Sequence, residues 1–118
     1  MADWVLPGAL VLPVHAKGWE PRALREAAKF VTDDWAQFSK SLGGPGGFYH
    51  PLPDLYAQLG EIVTGRRPGR EGPAETIFCV NYGMAIHDVA MAAQTLERAR
   101  RRRLGRPLPL LDGEFPLS

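Results

Sequence analysis

Residues 75–90 constrain the fold of this 118-residue chain more than any other segment. They open with an apolar run of β-branched and aromatic residues, which predicts a buried strand over residues 76–80. Gly83 then marks a tight turn, and residues 83–103 have the apolar spacing of an amphipathic helix. Strand, glycine turn and helix in this order commonly form one wall of a ligand cleft in α/β proteins, because the helix start offers unpaired backbone N–H groups.

Two further strands are predicted upstream of this segment. The apolar run at residues 9–12, ended by Pro13, is typical of a strand covered on both faces in a parallel sheet. Pro21 fits the first turn of a helix over residues 22–28, and a second strand follows over residues 29–32. Together they predict a βαβ unit and therefore an α/β fold with a long C-terminal helix.

The middle of the chain is predicted to hold two shorter helices. Asp34 is a suitable N-cap for a helix over residues 35–41, and Asp54 for a helix over residues 55–63. Gly65 is the expected stop of the second helix. The tail at residues 107–111 is apolar and proline-rich, so we expect it to be extended and to pack against something outside this segment.

Charge and composition exclude several classes of protein. The formal net charge of +1 is too small to indicate binding to nucleic acid or to an anionic membrane. No run approaches the roughly 18 apolar residues of a membrane span, and the N-terminus lacks a signal-peptide pattern. Cys79 is the single cysteine, so an internal disulfide is impossible and a cytoplasmic location is expected. Because Cys79 lies in an apolar strand, we interpret it as a core residue.

Candidate site residues follow from their position after predicted strands. His15 comes just after the first strand, where α/β sheets usually bind ligands, and Lys17 could serve the same cleft. Asp33 and Asp34 form a carboxylate pair at the end of the second strand, for which capping and solvation is the favoured interpretation. Asp88 near the last helix start is favoured by the helix dipole.

Other patterns point to no specific chemistry. The three histidines have no metal-ligand spacing, so no metal site is predicted. The glycine-containing loops at 43–47 and 66–70 match neither G-x-G-x-x-G nor a Walker loop, and we interpret them as surface loops, with phosphate contact as the alternative. The four arginines at 100–103 cover a full helical turn, which indicates a solvated helix end rather than a nucleic-acid contact.

Three segments resemble the ornithine cyclodeaminase and mu-crystallin family, namely WVLPG at 4–8, QLGEIVTGRRPGR at 58–70, and TIF through GMAIHD at 76–88. The resemblance covers nearly the whole chain but matches only the C-terminal part of the family. It implies binding of NAD or NADP in a Rossmann domain, beside a second domain for dimerisation and substrate binding. Members include ornithine cyclodeaminases, amino-acid dehydrogenases and ketimine reductases, which share hydride transfer at an amine-bearing carbon through an imine.

The resemblance also assigns roles to individual residues. Asn81, Tyr82 and Gly83 match the turn that lies beside the nicotinamide, and His15 or Lys17 would face an amino-acid-like substrate. The cyclodeaminases carry a catalytic aspartate in the region corresponding to residues 14–17, and this chain has none there. The glycine-rich phosphate loop and the residues that hold the substrate carboxylate belong to the family's N-terminal half.

The resemblance therefore implies a partial Rossmann-like fold in which residues 1–118 are one C-terminal segment of a cyclodeaminase-like enzyme. We expect this segment to be inactive alone, as a truncated reading frame or as one subunit of a split enzyme. Its expected partner is a complementary Rossmann-containing chain or a second copy of itself. The alternative is a non-catalytic interaction or oligomerisation module derived from the same fold.

Overall fold

The computed structural model describes residues 2–15 and 17–106, so the predicted apolar tail at 107–111 lies outside the described residues. Four parallel strands form one sheet in the order β1-β4-β2-β3, which confirms the α/β class. The last strand in sequence thus lies between the first two. The strands are β1 (Leu10–Val11), β2 (Lys29–Thr32), β3 (Ala57–Gln58) and β4 (Ile77–Val80).

The described residues form four α-helices: α1 (Pro21–Arg25), α2 (Trp35–Leu42), α3 (Leu59–Val63) and α4 (Ala85–Arg102). The chain divides into two compact units, one from Met1 to Met84 that contains the sheet and one from Ala85 onwards that contains α4. No side chain of α4 is buried. Within the described part of the chain, no helix is both long and apolar enough to cross a membrane.

The main cluster of buried side chains lies on one face of the sheet, and Cys79 is buried on the opposite face. Val11, Phe78 and Phe30 are register partners on neighbouring strands, so their side chains point to the same face, and all three are buried. Helix α1 covers this face with Leu24 and helix α2 covers it with Phe38. Helix α2 begins where predicted, because the Asp34 side chain accepts a hydrogen bond from the Gln37 amide and so caps it.

The predicted helix over residues 55–63 is wrong in its first half. The Tyr56 amide donates to the carbonyl of Phe30, and Ala57–Gln58 then pairs with β2 as the short strand β3. Helix α3 begins only at Leu59, and Glu61 accepts a hydrogen bond from the Gln58 amide at its start. The backbone groups of residues 56–58 therefore hydrogen-bond to β2 and are not free to form a helix. Helix α1 is also shorter than predicted, ending at Arg25 instead of residue 28.

Lys29, the first residue of β2, is a buried cation that fixes the basic loop at 66–73. Its ammonium group contacts Glu71 at 2.7 Å and Glu75 at 2.9 Å, and donates to the Gly69 carbonyl at 2.5 Å. It also lies 4.6 Å from the centre of the Tyr56 ring. Burial opposes the charged form of Lys29, but the two carboxylates outweigh it and raise the pKa of the ammonium above its ordinary value. This loop is thus tied to the start of β2.

We expect Lys29→Met to lower the melting temperature and to loosen the loop. The change leaves Glu71 and Glu75 facing each other without their shared cation, and a carboxylate that loses its partner is destabilising. Thermal unfolding followed by circular dichroism and the rate of tryptic cleavage after Arg66 would measure both effects. Lys17→Met, which removes an exposed lysine, is the control. Equal melting temperatures for the two variants would contradict the structural role of Lys29.

Candidate functional site

Three candidate segments follow strands at the carboxyl edge of the parallel sheet. His15 follows β1, Asp33 follows β2, and the turn of Asn81, Tyr82 and Gly83 follows β4. Because β1 and β2 both pair with β4 in parallel, the ends of all three strands lie side by side. Ligands of open α/β sheets usually bind beyond this edge. The sequence-predicted residues are therefore gathered at the edge where a ligand is expected.

Asp33 is the organising residue of this edge. Its Oδ1 accepts hydrogen bonds from the amides of Asp34 at 2.9 Å and Tyr82 at 3.0 Å, and its Oδ2 accepts one from the amide of Gly83 at 2.7 Å. Next to it, the Thr32 hydroxyl donates to the carbonyl of Val80 at 2.8 Å. A single carboxylate thus joins the end of β2 to the turn after β4.

Asp33 is held in its ionised form. Only 7% of its surface is exposed, and burial alone would raise the pKa of the carboxyl group. The amides of Tyr82, Gly83 and Asp34 outweigh that cost and keep the pKa below its ordinary value. The prediction that Asp33 is solvated is wrong, because three backbone donors take the place of water.

The turn presents exposed groups above this carboxylate. Asn81 is exposed, and 37% of the surface of Tyr82 is exposed. Gly83 has a φ of +97°, in the region that favours glycine, and apart from its chain neighbours no atom of the described residues lies within 4 Å of the position a Cβ would take. The turn is therefore held in place by Asp33, is open to solvent, and begins with the amide side chain of Asn81.

His15 and Lys17 form a separate loop at the same edge. Both are exposed, and His15 Nδ1 lies 3.1 Å from the amide nitrogen and 2.6 Å from the carbonyl oxygen of Lys17. The ring thus folds back on its own loop, and no described carboxylate bonds to it. Asp33 is instead joined to the turn, so the structure connects Asp33 with Tyr82 and Gly83 but not with His15 or Lys17.

Cys79 and the two glycine-containing loops add no further chemistry. Cys79 is buried, and burial together with the nearby Asp33 charge raises the pKa of its thiol, which confirms a core residue. In the loop at 43–47, the Gly43 amide donates to the Ser39 carbonyl of α2 and the Gly47 amide to the Gly44 carbonyl. The basic loop at 66–73 is bound to Lys29 at the opposite edge of the sheet. Across residues 2–15 and 17–106, no group of His, Cys, Asp and Glu could hold a metal ion.

These observations decide how far the described residues fit a dinucleotide. The exposed turn at Asn81, Tyr82 and Gly83 offers an open wall and an amide for a planar amide-bearing ring. The basic loop at 66–73 is tied to Lys29 at the other end of β2, and the Gly43 and Gly47 amides of the second loop already donate to backbone carbonyls, so a phosphate site at this edge is not built from them. On this turn the exposed Asn81 side chain is thus the group that such a ring could contact.

Comparison with known proteins shows the family to which the chain belongs. A sequence model of the ornithine cyclodeaminase/mu-crystallin family matches residues 1–103. The nodulation efficiency protein NfeD of Rhizobium meliloti is 32% identical over 103 residues, covering 87% of this chain and 32% of that protein. The N-((2S)-2-amino-2-carboxyethyl)-L-glutamate dehydrogenase of Staphylococcus aureus is 32% identical over 114 residues, covering 92% of this chain and 33% of that protein.

A solved structure shows the same fold. The Thermococcus litoralis Delta(1)-pyrroline-2-carboxylate reductase, in complex with NADH and L-proline, superimposes with a TM-score of 0.70 at 23% identity. The match covers 91% of this chain and 36% of the reductase chain. This chain therefore spans about a third of the length of the relatives it matches.

Proposed function

The chain belongs to the ornithine cyclodeaminase/mu-crystallin family, and on that basis we propose that it forms the nicotinamide-side wall of an NAD- or NADP-dependent enzyme. When bound, the cofactor supplies or accepts hydride at the amine-bearing carbon of an amino acid or its imine. In this proposal residues 1–118 are the C-terminal segment of that enzyme, and they are inactive until the rest of the fold completes them.

The observation that carries this proposal is the turn held by Asp33. A wall that positions a flat ring must be rigid, and the Tyr82 and Gly83 amides are both bonded to one buried carboxylate. Asn81 then offers its side-chain amide to the ring carboxamide. The dehydrogenase of Staphylococcus aureus and the NADH-bound reductase of Thermococcus litoralis support a nicotinamide cofactor for the family.

His15 and Lys17 are the proposed substrate-side residues. An imidazole can move a proton near neutral pH, and an ammonium group can pair with a substrate carboxylate. Both residues lie in the loop after β1, beside the strand that leads to the turn. The substrate class supported here is a small amino acid or imino acid.

We expect NADH to bind this chain only in the presence of the rest of the fold. The test is a fluorescence titration of NADH with the chain alone and with a polypeptide carrying the other two thirds of the Staphylococcus aureus relative. Saturable micromolar binding is expected only for the mixture, because the described residues lack a phosphate cradle. Asn81→Trp should weaken that binding by roughly tenfold or more, since the indole occupies the ring space.

Asp54→Ala, which alters an exposed carboxylate on another loop, is the control and should leave the binding of NADH unchanged. Equal affinities of wild type and Asn81→Trp would contradict the proposed wall. A mixture that assembles but binds no NADH would favour the alternative, a non-catalytic interaction module. The observation in favour of that alternative is the loop at 14–17, which lacks the carboxylate found in the cyclodeaminases.

A further inference from the structure

A cavity of about 430 Å³ opens at the amino edge of the sheet, where β2 and β3 begin. Its lining comes from α1, from the residues that lead into β2, and from the segment at 52–56 that leads into β3. Because the strands are parallel, this edge lies opposite the carboxyl edge that carries Asp33 and Asn81. The cavity, here called the amino-edge cavity, has the size of a small-molecule site and is separate from the proposed nicotinamide wall.

The walls of the amino-edge cavity are largely apolar. Leu24 of α1 and Phe30 of β2 line it and are almost fully buried, with 1% and 2% of their surfaces exposed. Three half-buried side chains complete the walls, namely Leu52, Leu55 and Tyr56. Tyr56 is held in place, because its hydroxyl donates to the Pro68 carbonyl at 3.0 Å and Lys29 lies 4.6 Å from the centre of its ring. The cavity therefore presents an ordered apolar surface to the side chain of a ligand.

Two charged residues of opposite sign, Arg25 and Asp54, also line this cavity. Both are exposed, and within residues 2–15 and 17–106 neither forms an ion pair, with the other or with a third residue. The Arg25 guanidinium donates to the Pro51 carbonyl at 3.4 Å. A guanidinium carries five N–H donors, so further donors are left for a ligand. The cavity thus offers a cation and an anion that do not satisfy each other.

We propose that the amino-edge cavity binds a small zwitterion with an apolar side chain, namely an aliphatic α-amino acid. Arg25 would hold the carboxylate of the ligand, because a guanidinium pairs with a carboxylate through two parallel hydrogen bonds. Asp54 would accept hydrogen bonds from the ammonium group, and the apolar walls would cover the side chain. A ligand with only one charge would leave the opposite charge of the cavity uncompensated, which selects the zwitterion.

This site is additional to the substrate side proposed at His15 and Lys17. Those two residues follow β1 at the carboxyl edge, whereas Arg25 and Asp54 come before β2 and β3. No residue that lines the cavity belongs to the loop after β1 or to the turn after β4. We therefore expect the amino acid and NADH to bind independently, so failure of one proposal leaves the other unaffected.

The test is isothermal titration calorimetry of the whole chain with L-leucine and with two analogues that each lack one charge. Isocaproate lacks the ammonium group of leucine, and isopentylamine lacks its carboxylate. Saturable binding of L-leucine is expected. Each analogue should bind about tenfold more weakly, because one charge-assisted contact is lost.

Two variants assign the two contacts to their residues. Arg25→Met should weaken the binding of L-leucine and isocaproate by about tenfold, without weakening that of isopentylamine. Asp54→Asn should weaken the binding of L-leucine and isopentylamine by about tenfold, without weakening that of isocaproate. Arg22→Met removes an exposed arginine of the same helix that does not line the cavity, so this control should bind L-leucine as wild type does. Circular dichroism of each variant checks that it folds.

Three results would overturn the proposal. The first is no saturable binding of L-leucine, or equal binding of L-leucine by Arg25→Met and Arg22→Met. The second is binding of isocaproate as tight as that of L-leucine, which would remove the role of Asp54 and with it the zwitterion. The third is loss of L-leucine binding in Lys17→Met, which would place the amino acid at the carboxyl edge.

Discussion

Replacing Asp33 with alanine should lower the free energy of unfolding by about 3 kcal/mol. The carboxylate accepts hydrogen bonds from the Asp34, Tyr82 and Gly83 amides, and the change leaves all three donors without their acceptor. Tyr82 is partly exposed, so water replaces some of the loss. Urea unfolding would measure the energy, and hydrogen exchange should become faster at the Tyr82 and Gly83 amides.

The neighbouring carboxylate provides the control. Asp34→Ala removes the N-cap of α2 and should cost about 1 kcal/mol. The fold would not depend on Asp33 as inferred if Asp33→Ala cost no more than Asp34→Ala, or if exchange at Tyr82 and Gly83 were unchanged.

The effect of Asp33 should also depend on pH. Its pKa is lower in the folded chain than its ordinary value, so its contribution to stability is fully present above the unfolded pKa of about 4. That contribution is lost as the pH falls through the lower, folded pKa. The stability difference between wild type and Asp33→Ala should therefore shrink in acid.

Phe78→Ala should lower the free energy of unfolding by about 4 kcal/mol, a large part of the total for a domain of this size. Phe78 is fully buried in β4, and the Trp19 ring meets its edge at a centroid distance of 5.5 Å. The deletion opens a cavity between the sheet and α1, where Leu24 belongs to the same cluster. Chemical denaturation monitored by tryptophan fluorescence would measure the loss.

Phe48→Ala is the matched control, because it makes the same chemical change at a ring that is 44% exposed. Its cost should stay below about 1.5 kcal/mol, since most of what it loses is an edge contact with Tyr49. Equal costs at the two positions would show that the core is not centred on β4.

Three of the four strands were predictable from the sequence, because each contains consecutive apolar, aromatic or β-branched residues. β3 was missed because it is only Ala57–Gln58, with no run to detect. The spacing of Leu55, Leu59, Ile62 and Val63 also fits a helix, yet Val63 is 79% exposed in the structure. The spacing of apolar residues predicts only local structure. β3 forms because it pairs with β2, which is distant in sequence, so the spacing could not predict it.

The candidate site was predictable in place but not in detail. Residues that follow strands in a parallel sheet share one edge, which brings His15, Asp33 and Asn81 to the same edge of the sheet. The hydrogen bonds from Tyr82 and Gly83 to Asp33 span about fifty residues, and no local pattern predicts such a contact. One available signal was the position of Asp33 directly after a fully buried strand, where a carboxylate needs donors to replace water.

The place of β4 between β1 and β2 also dictates when this chain can fold during its synthesis. β1 and β2 leave the ribosome first, but neither can hydrogen-bond to the other, because residues 77–80 must be inserted between them. Until those residues emerge, the nascent chain exposes its apolar strands, and of the strand pairs seen in the described residues it can form only β2–β3. A protein stopped before Ile77 would therefore have β1 cut off from the rest of the sheet, and chaperone capture is the expected fate of such a product.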